Sequence, residues 1–267
     1  MKVAVIQLSY GDKESLAGRT ARVVELVRAQ RGHDLVVLPE LWSAGGFDYR
    51  AWPEREQRVD GEVTAALAEA ARETGCVLHT GSLVERPGDE TGPDGHGVWN
   101  TSVVLDPSGE ICATYRKIHR FGFGNGEPRL MEAGTELVVV DLPAPADGLR
   151  VGLSTCYDLR FPELYRAQVD RGAQVFVVPA AWPAARVEHW RVLARARAIE
   201  NQAYVIAGNT AGTHAGTPMG GFSAVVDPRG EVLAEAGTDE EVLSVEIDPE
   251  AVLSWRESFP VLADRRL

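Results

Sequence analysis

The sequence predicts one α/β domain built on mixed sheets, and three observations support this class. Short apolar, β-branched runs recur along the chain and alternate with amphipathic helical patterns. Residues 103–110 and 224–231 both place Asp-Pro-x-Gly between extended runs, a hairpin pattern that a purely parallel doubly wound sheet would not contain. No linker interrupts the 267 residues, so we expect a single domain over residues 1–267.

Ten runs have the composition of strands, and several are continuous enough to be covered on both faces. One Asp-Pro-x-Gly hairpin follows the fourth run and the other follows the ninth, which predicts a pseudo-symmetric body with two sheets. The predicted strands are residues 3–8, 35–38, 77–83, 101–105, 136–141, 151–154, 175–178, 204–207, 222–226 and 242–247.

Four segments between these runs have helical periodicity together with start or stop signals. The signals are an N-cap serine, a glycine after the last turn and a proline in a first turn. The predicted helices lie between Ser15 and Gly32, over residues 62–74 before Gly75, over residues 161–170 with Pro162 near the start, and over residues 187–202.

Composition excludes several classes of function. The chain has 27 Lys and Arg against 39 Asp and Glu, a net charge of −12, and such a surface repels the phosphates of nucleic acids. The N-terminal apolar run is interrupted early, and no run approaches the ~20 residues of a membrane helix. We therefore expect a soluble cytoplasmic protein that binds neither nucleic acid nor membrane.

Metal and cofactor motifs are missing from the sequence. Its cysteines are Cys76, Cys112 and Cys156, an odd and widely spaced set that forms neither a disulfide framework nor a CxxC metal site. The six histidines form no HxH or HExxH pattern. We expect no metal and no cofactor.

Glu40 is the first candidate for chemistry. It follows the apolar run 35–38 and Pro39, at the carboxyl end of a buried strand, where open α/β sheets bind ligands. A partly desolvated carboxylate has a raised pKa, which suits a general base. The alternative is a strand-end glutamate that caps the next turn.

Lys117 is the second candidate. It lies in the basic segment 115–120, between a hairpin arm and the glycine-rich loop 121–126. A fixed ammonium beside a reacting carbonyl would stabilise developing negative charge. The alternative is a solvated basic face, which is the usual place for such a cluster.

Cys156 is the third candidate. It lies on a tight polar turn between the strand at 151–154 and a helix that starts with proline, so its side chain projects outward. The next N–H lies near the positive end of the helix, which favours a thiolate and provides an oxyanion donor. Cys76 and Cys112 instead fit the usual interpretation of a cysteine as a small apolar side chain. A histidine base, His119 or His214, remains an open alternative without support from its context.

Together the segments 38–40 (LPE), 115–119 (YRKIH) and 155–163 (TCYDLRFPE) resemble the Glu–Lys–Cys triad of the carbon–nitrogen hydrolase (nitrilase) superfamily. The resemblance extends over nearly the whole chain, including residues 3–7, 100–101, 179–183 and 195–204. It implies a four-layer α-β-β-α sandwich of two mixed sheets that assembles as a homodimer or a higher homo-oligomer. It also implies hydrolysis of a non-peptide C–N bond through a cysteine thioester.

The resemblance also implies a role for each site residue. Glu40 would be the general base, and Lys117 and the backbone N–H of Tyr157 would stabilise the oxyanion. Cys156 would be the nucleophile. Glu127 matches a second active-site glutamate of the family, and its alternative is a solvated loop acid.

The motifs are most similar to those of omega-amidase-type members, which hydrolyse the terminal amide of small ω-amido acids such as 2-oxoglutaramate or succinamate. Arg160 matches their carboxylate-binding arginine, with an ion pair to Glu163 as its structural alternative. We expect Phe121, Phe123 and Trp182 to form the wall of the pocket, although core packing explains Trp182 equally well.

Other functions remain open. Deaminated-glutathione amidase, N-carbamoyl amino acid hydrolase and nitrilase activities share this chemistry. A catalytically silent dimer that binds a metabolite is an alternative of another class, because fold does not fix function.

Overall fold

The computed structural model describes residues 1–266, which form fifteen strands and seven α-helices. The strands are β1 (Lys2–Gln7), β2 (Ser9–Tyr10), β3 (Leu35–Val37), β4 (Val77–Glu85), β5 (Trp99–Leu105), β6 (Ile111–Arg116), β7 (Val139–Asp141), β8 (Arg150–Leu153), β9 (Val175–Pro179), β10 (Tyr204–Gly208), β11 (Ala211–His214), β12 (Thr217–Pro218), β13 (Ala224–Val226), β14 (Val232–Glu235) and β15 (Glu241–Glu246). The helices are α1 (Leu16–Arg28), α2 (Trp52–Arg55), α3 (Glu62–Thr74), α4 (Glu127–Leu130), α5 (Pro162–Asp170), α6 (Val187–Asn201) and α7 (Glu250–Ser258).

Two six-stranded mixed sheets form the centre of the molecule, as the sequence predicts. The first sheet has the order β15-β1-β3-β4-β5-β6 and the second has the order β14-β13-β10-β9-β8-β7. A small third sheet, β12-β11-β2, joins the two halves. Each large sheet has a parallel centre, formed by β1, β3 and β4 in one and by β8, β9 and β10 in the other. Each ends in an Asp-Pro-x-Gly hairpin with a β-bulge at its turn end.

The burial pattern orders the elements into four layers, α-β-β-α. Alternate residues of each central strand point to opposite faces of its sheet. One core cluster joins Val3 and Val37 of the first sheet to Val151 and Val177 of the second, so the two sheets pack face to face. The opposite faces are covered by α1 and α3 on the first sheet and by α5 and α6 on the second. This arrangement confirms the predicted four-layer fold class.

The helices begin and end where their sequences indicate. The Ser15 Oγ accepts a hydrogen bond from the N–H of Gly18 at 3.1 Å and caps α1. Gly75, with a φ of 73°, ends α3 in the left-handed conformation that favours glycine. Pro162 occupies the first position of α5.

Several elements differ from the prediction. Of the predicted strand 136–141, only the residues of β7 form a strand. The strands β2, β11 and β12 were not predicted, because they are short and rich in polar residues and glycine. The short helices α2 and α4 and the C-terminal α7 were also missed. None of the helices formed by residues 1–266 has the length and apolar character needed to cross a membrane.

Candidate active site

Three strand ends meet at one narrow cleft with a volume of about 400 Å³. Glu40 follows β3, Lys117 follows β6 and Cys156 follows β8, and all three side chains line the cleft. The first two come from one sheet and the third comes from the other. The packing of the two sheets therefore brings together residues that lie far apart in the sequence.

Glu40 is fixed by contacts from both sheets. Its Oε1 lies 2.8 Å from the Nζ of Lys117 and 2.8 Å from the Nδ2 of Asn100. Its Oε2 accepts the backbone N–H of Ala181, which follows β9, at 2.8 Å. A Cβ atom at Gly81 would lie 1.9 Å from the Pro39 carbonyl oxygen, so only glycine permits this path of the chain before Glu40. The carboxylate has a single well-defined orientation.

Lys117 is buried between two carboxylates. Its Nζ is 2.8 Å from Glu40 Oε1 and 2.9 Å from each carboxylate oxygen of Glu127. Burial opposes the positive charge, but the Glu127 and Glu40 carboxylates outweigh it and hold the pKa of Lys117 well above its usual value. The ammonium group is charged and oriented before any substrate enters, whereas a solvated basic face would leave it exposed.

Glu127 lies at the start of the single-turn helix α4 and is buried rather than solvated. Its carboxylate accepts the N–H of Phe121, and the Nδ2 of Asn100 lies 2.8 Å from its Oε1. Burial raises the pKa of Glu127, while Lys117 opposes the rise. Asn100 therefore bridges the two carboxylates that flank Lys117.

Cys156 begins a 3₁₀ turn, Cys156–Arg160, and has a φ of 49°, a strained conformation for a residue other than glycine. Burial raises the pKa of its thiol well above the usual value, and the negative charge of Glu40 reinforces the rise. The prediction of a resting thiolate is therefore wrong. The positive end of one short turn is outweighed by desolvation and by the neighbouring carboxylate. The raised pKa favours the protonated thiol at neutral pH, and the Glu40 carboxylate lies in the same cleft.

Asp158 connects the cysteine turn to the segment that bears Lys117, a connection that the sequence analysis missed. Its carboxylate accepts the N–H of Thr155 at 2.9 Å, the Tyr115 hydroxyl at 2.7 Å and the N–H of His119 at 2.9 Å. The carboxylate is fully buried. Asp158 lies two residues after Cys156, near the start of the 3₁₀ turn. This position could have indicated that its side chain caps the turn.

The histidines do not serve as bases for the thiol. His119 binds Asp158 at 2.7 Å and stacks on Phe161, with 3.7 Å between ring centroids. His214 is buried and stacks on Tyr10 at 3.9 Å. Neither side chain lines the cleft. The alternative of a Cys–His pair is therefore wrong.

The rim of the cleft contains most of the predicted wall. Phe121, Trp182 and Tyr157 line it, and the amide of Tyr157 follows Cys156 directly in the turn. Phe123 does not line the cleft, because 83% of this residue is exposed to solvent. It lies in a loop in which Gly124 has the left-handed conformation, with a φ of 80°. The prediction of Phe123 as a wall residue is therefore wrong.

Arg160 also lies at the rim. Its guanidinium carbon is 4.7 Å from the ring centroid of Trp182, and its Nη2 is 3.2 Å from the Nδ1 of His189. The alternative ion pair with Glu163 is not formed among residues 1–266. Arg186 and Tyr49 line the same cleft and were missed, because no local motif distinguishes them from surface residues.

Comparisons with known proteins agree with this geometry. A family model described as carbon-nitrogen hydrolase matches residues 2–257. The 2-oxoglutaramate amidase of Paenarthrobacter nicotinovorans is 44% identical over 266 residues, covering 100% of this chain and 90% of the relative. Omega-amidase NIT2 of Homo sapiens is 33% identical, covering 99% of this chain and 95% of the relative.

Solved structures give the same result. A CN-hydrolase superfamily protein from Xanthomonas campestris, with an arsenic adduct in its active site, has a TM-score of 0.88 and 31% identity over 100% of this chain and 97% of that chain. Nit3 of Saccharomyces cerevisiae has a TM-score of 0.82 and 30% identity over 100% of this chain and 97% of that chain. The chain thus belongs to the carbon–nitrogen hydrolase family and is a hydrolase of carbon–nitrogen bonds other than peptide bonds.

Proposed function

We propose that the protein is an amidohydrolase that releases ammonia from the terminal amide of a small carboxylate-bearing amide, 2-oxoglutaramate or a close analogue such as succinamate. The observation that carries this proposal is the ammonium of Lys117, 2.8 Å from Glu40, in the same cleft as the Cys156 thiol. The names of the relatives, 2-oxoglutaramate amidase and omega-amidase, support the choice of substrate.

In the first half of the reaction, the Cys156 thiol transfers its proton to Glu40 as the sulfur attacks the amide carbon. The oxyanion that forms is stabilised by Lys117 and by the backbone N–H of Tyr157. Each such donor typically contributes about 3–4 kcal/mol to the stability of the transition state. Glu40 then gives its proton to the amide nitrogen, the C–N bond breaks, ammonia leaves and a thioester remains on the sulfur.

In the second half, a water molecule gives a proton to Glu40 and attacks the thioester carbon. The same donors stabilise the second oxyanion. The bond between carbon and sulfur breaks, the acid product leaves and the thiolate regains the proton from Glu40. Glu127 keeps Lys117 charged and oriented through both steps, because its two oxygens lie 2.9 Å from Nζ.

An ammonia-release assay tests the proposal on 2-oxoglutaramate, succinamate, deaminated glutathione, N-carbamoyl amino acids and simple nitriles. We expect ω-amido acids to be hydrolysed fastest and Cys156→Ala to lower turnover about 10⁴-fold or more, because the nucleophile is lost. Cys112→Ser is the matched control, since Cys112 lies outside the cleft. Unchanged turnover of Cys156→Ala would refute the cysteine mechanism, and activity on nitriles alone would refute the amidase proposal.

We also propose that the protein forms a homodimer through the outer face of α6. Val192 and Ile199 lie two helical turns apart on this face and are exposed at 62% and 50% of their surface. Exposed apolar residues that share one face are typical of an association surface. Light scattering tests the assembly: we expect a dimer for the wild type and a monomer for a Val192→Glu, Ile199→Glu double variant.

A cytoplasmic location is a further part of the proposal. Its support is that Cys76, Cys112 and Cys156 are all free thiols, as expected in a reducing compartment. Cell fractionation tests it directly.

A further inference from the structure

Two guanidinium groups lie at the rim of the cleft, and the proposed cleavage of the C–N bond uses neither of them. Arg160 ends the turn that begins with Cys156, and Arg186 ends the 3₁₀ turn Ala184–Arg186 before α6. The guanidinium carbon of Arg186 lies 5.3 Å from the ring centroid of Phe121. The Nε1 of Trp182 donates to the Arg186 carbonyl oxygen at 2.8 Å, which ties the turn to the aromatic wall.

Neither guanidinium has a carboxylate within 4.0 Å in the described part of the chain, residues 1–266. Two of the three arginines within α6 do have one: Arg191 pairs with Glu235 at 2.8 Å and Arg197 pairs with Glu200 at 2.7 Å. The chain has 39 acidic residues, so partners are abundant elsewhere. Arg160 and Arg186 therefore form a positively charged part of the cleft that can bind the anionic group of a ligand.

The two charges also act on each other. Burial lowers the pKa of Arg160, and the positive charge of Arg186 lowers it further. Both side chains line the same cleft, so their like charges repel each other there. An anion bound between them would relieve this repulsion and would accept hydrogen bonds from both planar groups.

We propose that Arg186 and Arg160 form a two-guanidinium subsite that binds the 2-oxo acid end of an ω-amide and rejects the 2-ammonium group of the corresponding amino acid. This inference rests on the proposed function, and it assigns a specificity role to Arg186. A 2-oxo acid offers only oxygen acceptors to the two donor groups. A 2-amino acid instead places an ammonium cation beside two further cations, which repel it.

The shape of the cleft suits such a substrate. Cys156 and Lys117 lie among the buried groups of the cleft, while Arg186 is half-buried beside Phe121. The aromatic rings of Phe121 and Trp182 provide apolar contact for a short methylene chain. The amide end would meet the sulfur while the charged end meets the arginines.

Three variants test the subsite: Arg186→Gln removes the charge, Arg186→Lys retains it without the planar donor group, and Arg72→Gln is the control. Arg72 lies on α3 outside the cleft, where its Nη1 donates to the Ser108 carbonyl oxygen. Ammonia release is measured with 2-oxoglutaramate, with glutamine and with uncharged pentanamide. Thermal unfolding establishes that each variant is folded.

For Arg186→Gln we expect kcat/KM for 2-oxoglutaramate to fall roughly 10- to 100-fold, the loss of one hydrogen-bonded charge contact. For pentanamide we expect a change of less than about twofold, because that substrate has no anionic end. The preference for 2-oxoglutaramate over glutamine should fall accordingly. The value for Arg186→Lys should lie between those of the wild type and Arg186→Gln, and Arg72→Gln should match the wild type.

The possible outcomes separate this inference from the proposed function. If the wild type releases ammonia from no ω-amido acid, the proposed function fails. If the wild type is active but Arg186→Gln lowers all three activities equally, or none, the subsite is refuted and the amidase proposal stands. As a second measurement, calorimetry compares the binding of unreactive 2-oxoglutarate to wild type and Arg186→Lys. Equal affinity would also overturn the role of the planar group.

Discussion

The two halves of the molecule have the same scaffold but different chemistry. β1 pairs with β3 at Val3 and Leu35, as β8 pairs with β9 at Val151 and Val175. Both terminal hairpins have their bulge at the same place, between Val104 and Leu105 in one and between Val225 and Val226 in the other. The strands of one sheet can therefore be matched to those of the other, residue by residue.

This match places each reactive residue opposite an unreactive one. By register, Cys156 corresponds to Leu8 and Glu40 to Ala180; along the hairpins, Lys117 corresponds to Thr238. In the proposed mechanism, one half supplies the general base and the oxyanion-stabilising ammonium, while the other supplies the nucleophile. The Ala180 segment still contributes, because the N–H of Ala181 binds Glu40. The two similar halves therefore form a single site where their sheets pack together.

The largest expected effect in this comparison is that of Glu40→Gln. Turnover should fall by about 10²- to 10⁴-fold, since the proton acceptor is lost. Glu40 also raises the pKa of Cys156, so the substitution should lower that pKa and move thiol alkylation by iodoacetamide to lower pH. Ammonia release and the pH dependence of alkylation measure the two effects, with Glu163→Gln on the exposed start of α5 as the control. Alkylation at unchanged pH would contradict the effect of the Glu40 charge on the pKa of Cys156.

The second-largest effect is expected for Lys117→Met. We compare its turnover and its free energy of unfolding with those of Thr238→Ala, the substitution at the corresponding position of the other half. Removing Lys117 should lower turnover by about 10²- to 10³-fold. It also leaves two buried carboxylates unpaired, which should lower the free energy of unfolding by about 3–5 kcal/mol. Thr238 is exposed, and its substitution should change stability by less than about 0.5 kcal/mol. Similar losses at both positions would contradict the assignment of the chemistry to one half.

The Lys117 comparison extends to pH. Folding raises the pKa of Lys117, so its stabilisation is complete below the ordinary pKa of lysine. It is lost as the pH rises through the higher value of the folded state. Urea unfolding across alkaline pH should therefore be less pH-dependent in Lys117→Met than in the wild type.

The smallest expected effect is at the turns, where the two halves should respond alike. Asp106 Oδ1 accepts the N–H of Ser108 at 2.8 Å, and Asp227 Oδ1 accepts the N–H of Arg229 at 2.9 Å. Asp106→Ala and Asp227→Ala should each lower the free energy of unfolding by about 0.5–1.5 kcal/mol. Turnover should remain unchanged in both. A loss of activity at only one turn would indicate that this hairpin also supports the site.

The sequence alone predicted the elements whose signal is local. Periodicity and caps located α1 and α3, and β-branched runs located the central strands, because burial on both faces imposes a continuous apolar pattern. Glu40, Lys117 and Cys156 were found because each follows such a run or turn. The resemblance to the family added Glu127, which lies in a segment without a strong local pattern.

What the sequence missed depends on contacts between distant segments. Arg186 resembles a surface arginine until the fold places it beside Phe121, and Asp158 resembles a simple cap until Tyr115 and His119 meet it. The protonation of Cys156 could not be predicted either, because burial and Glu40 act only after the two sheets pack together.

A protonated thiol at Cys156 also affects how readily hydrogen peroxide oxidises the enzyme. Hydrogen peroxide attacks the thiolate form of cysteine far more readily than the neutral form, so a sulfur kept neutral by its surroundings is slow to become sulfenic acid. In the proposed mechanism, proton transfer to Glu40 would activate the sulfur only when catalysis begins, so its reaction with peroxide between turnovers would be slow.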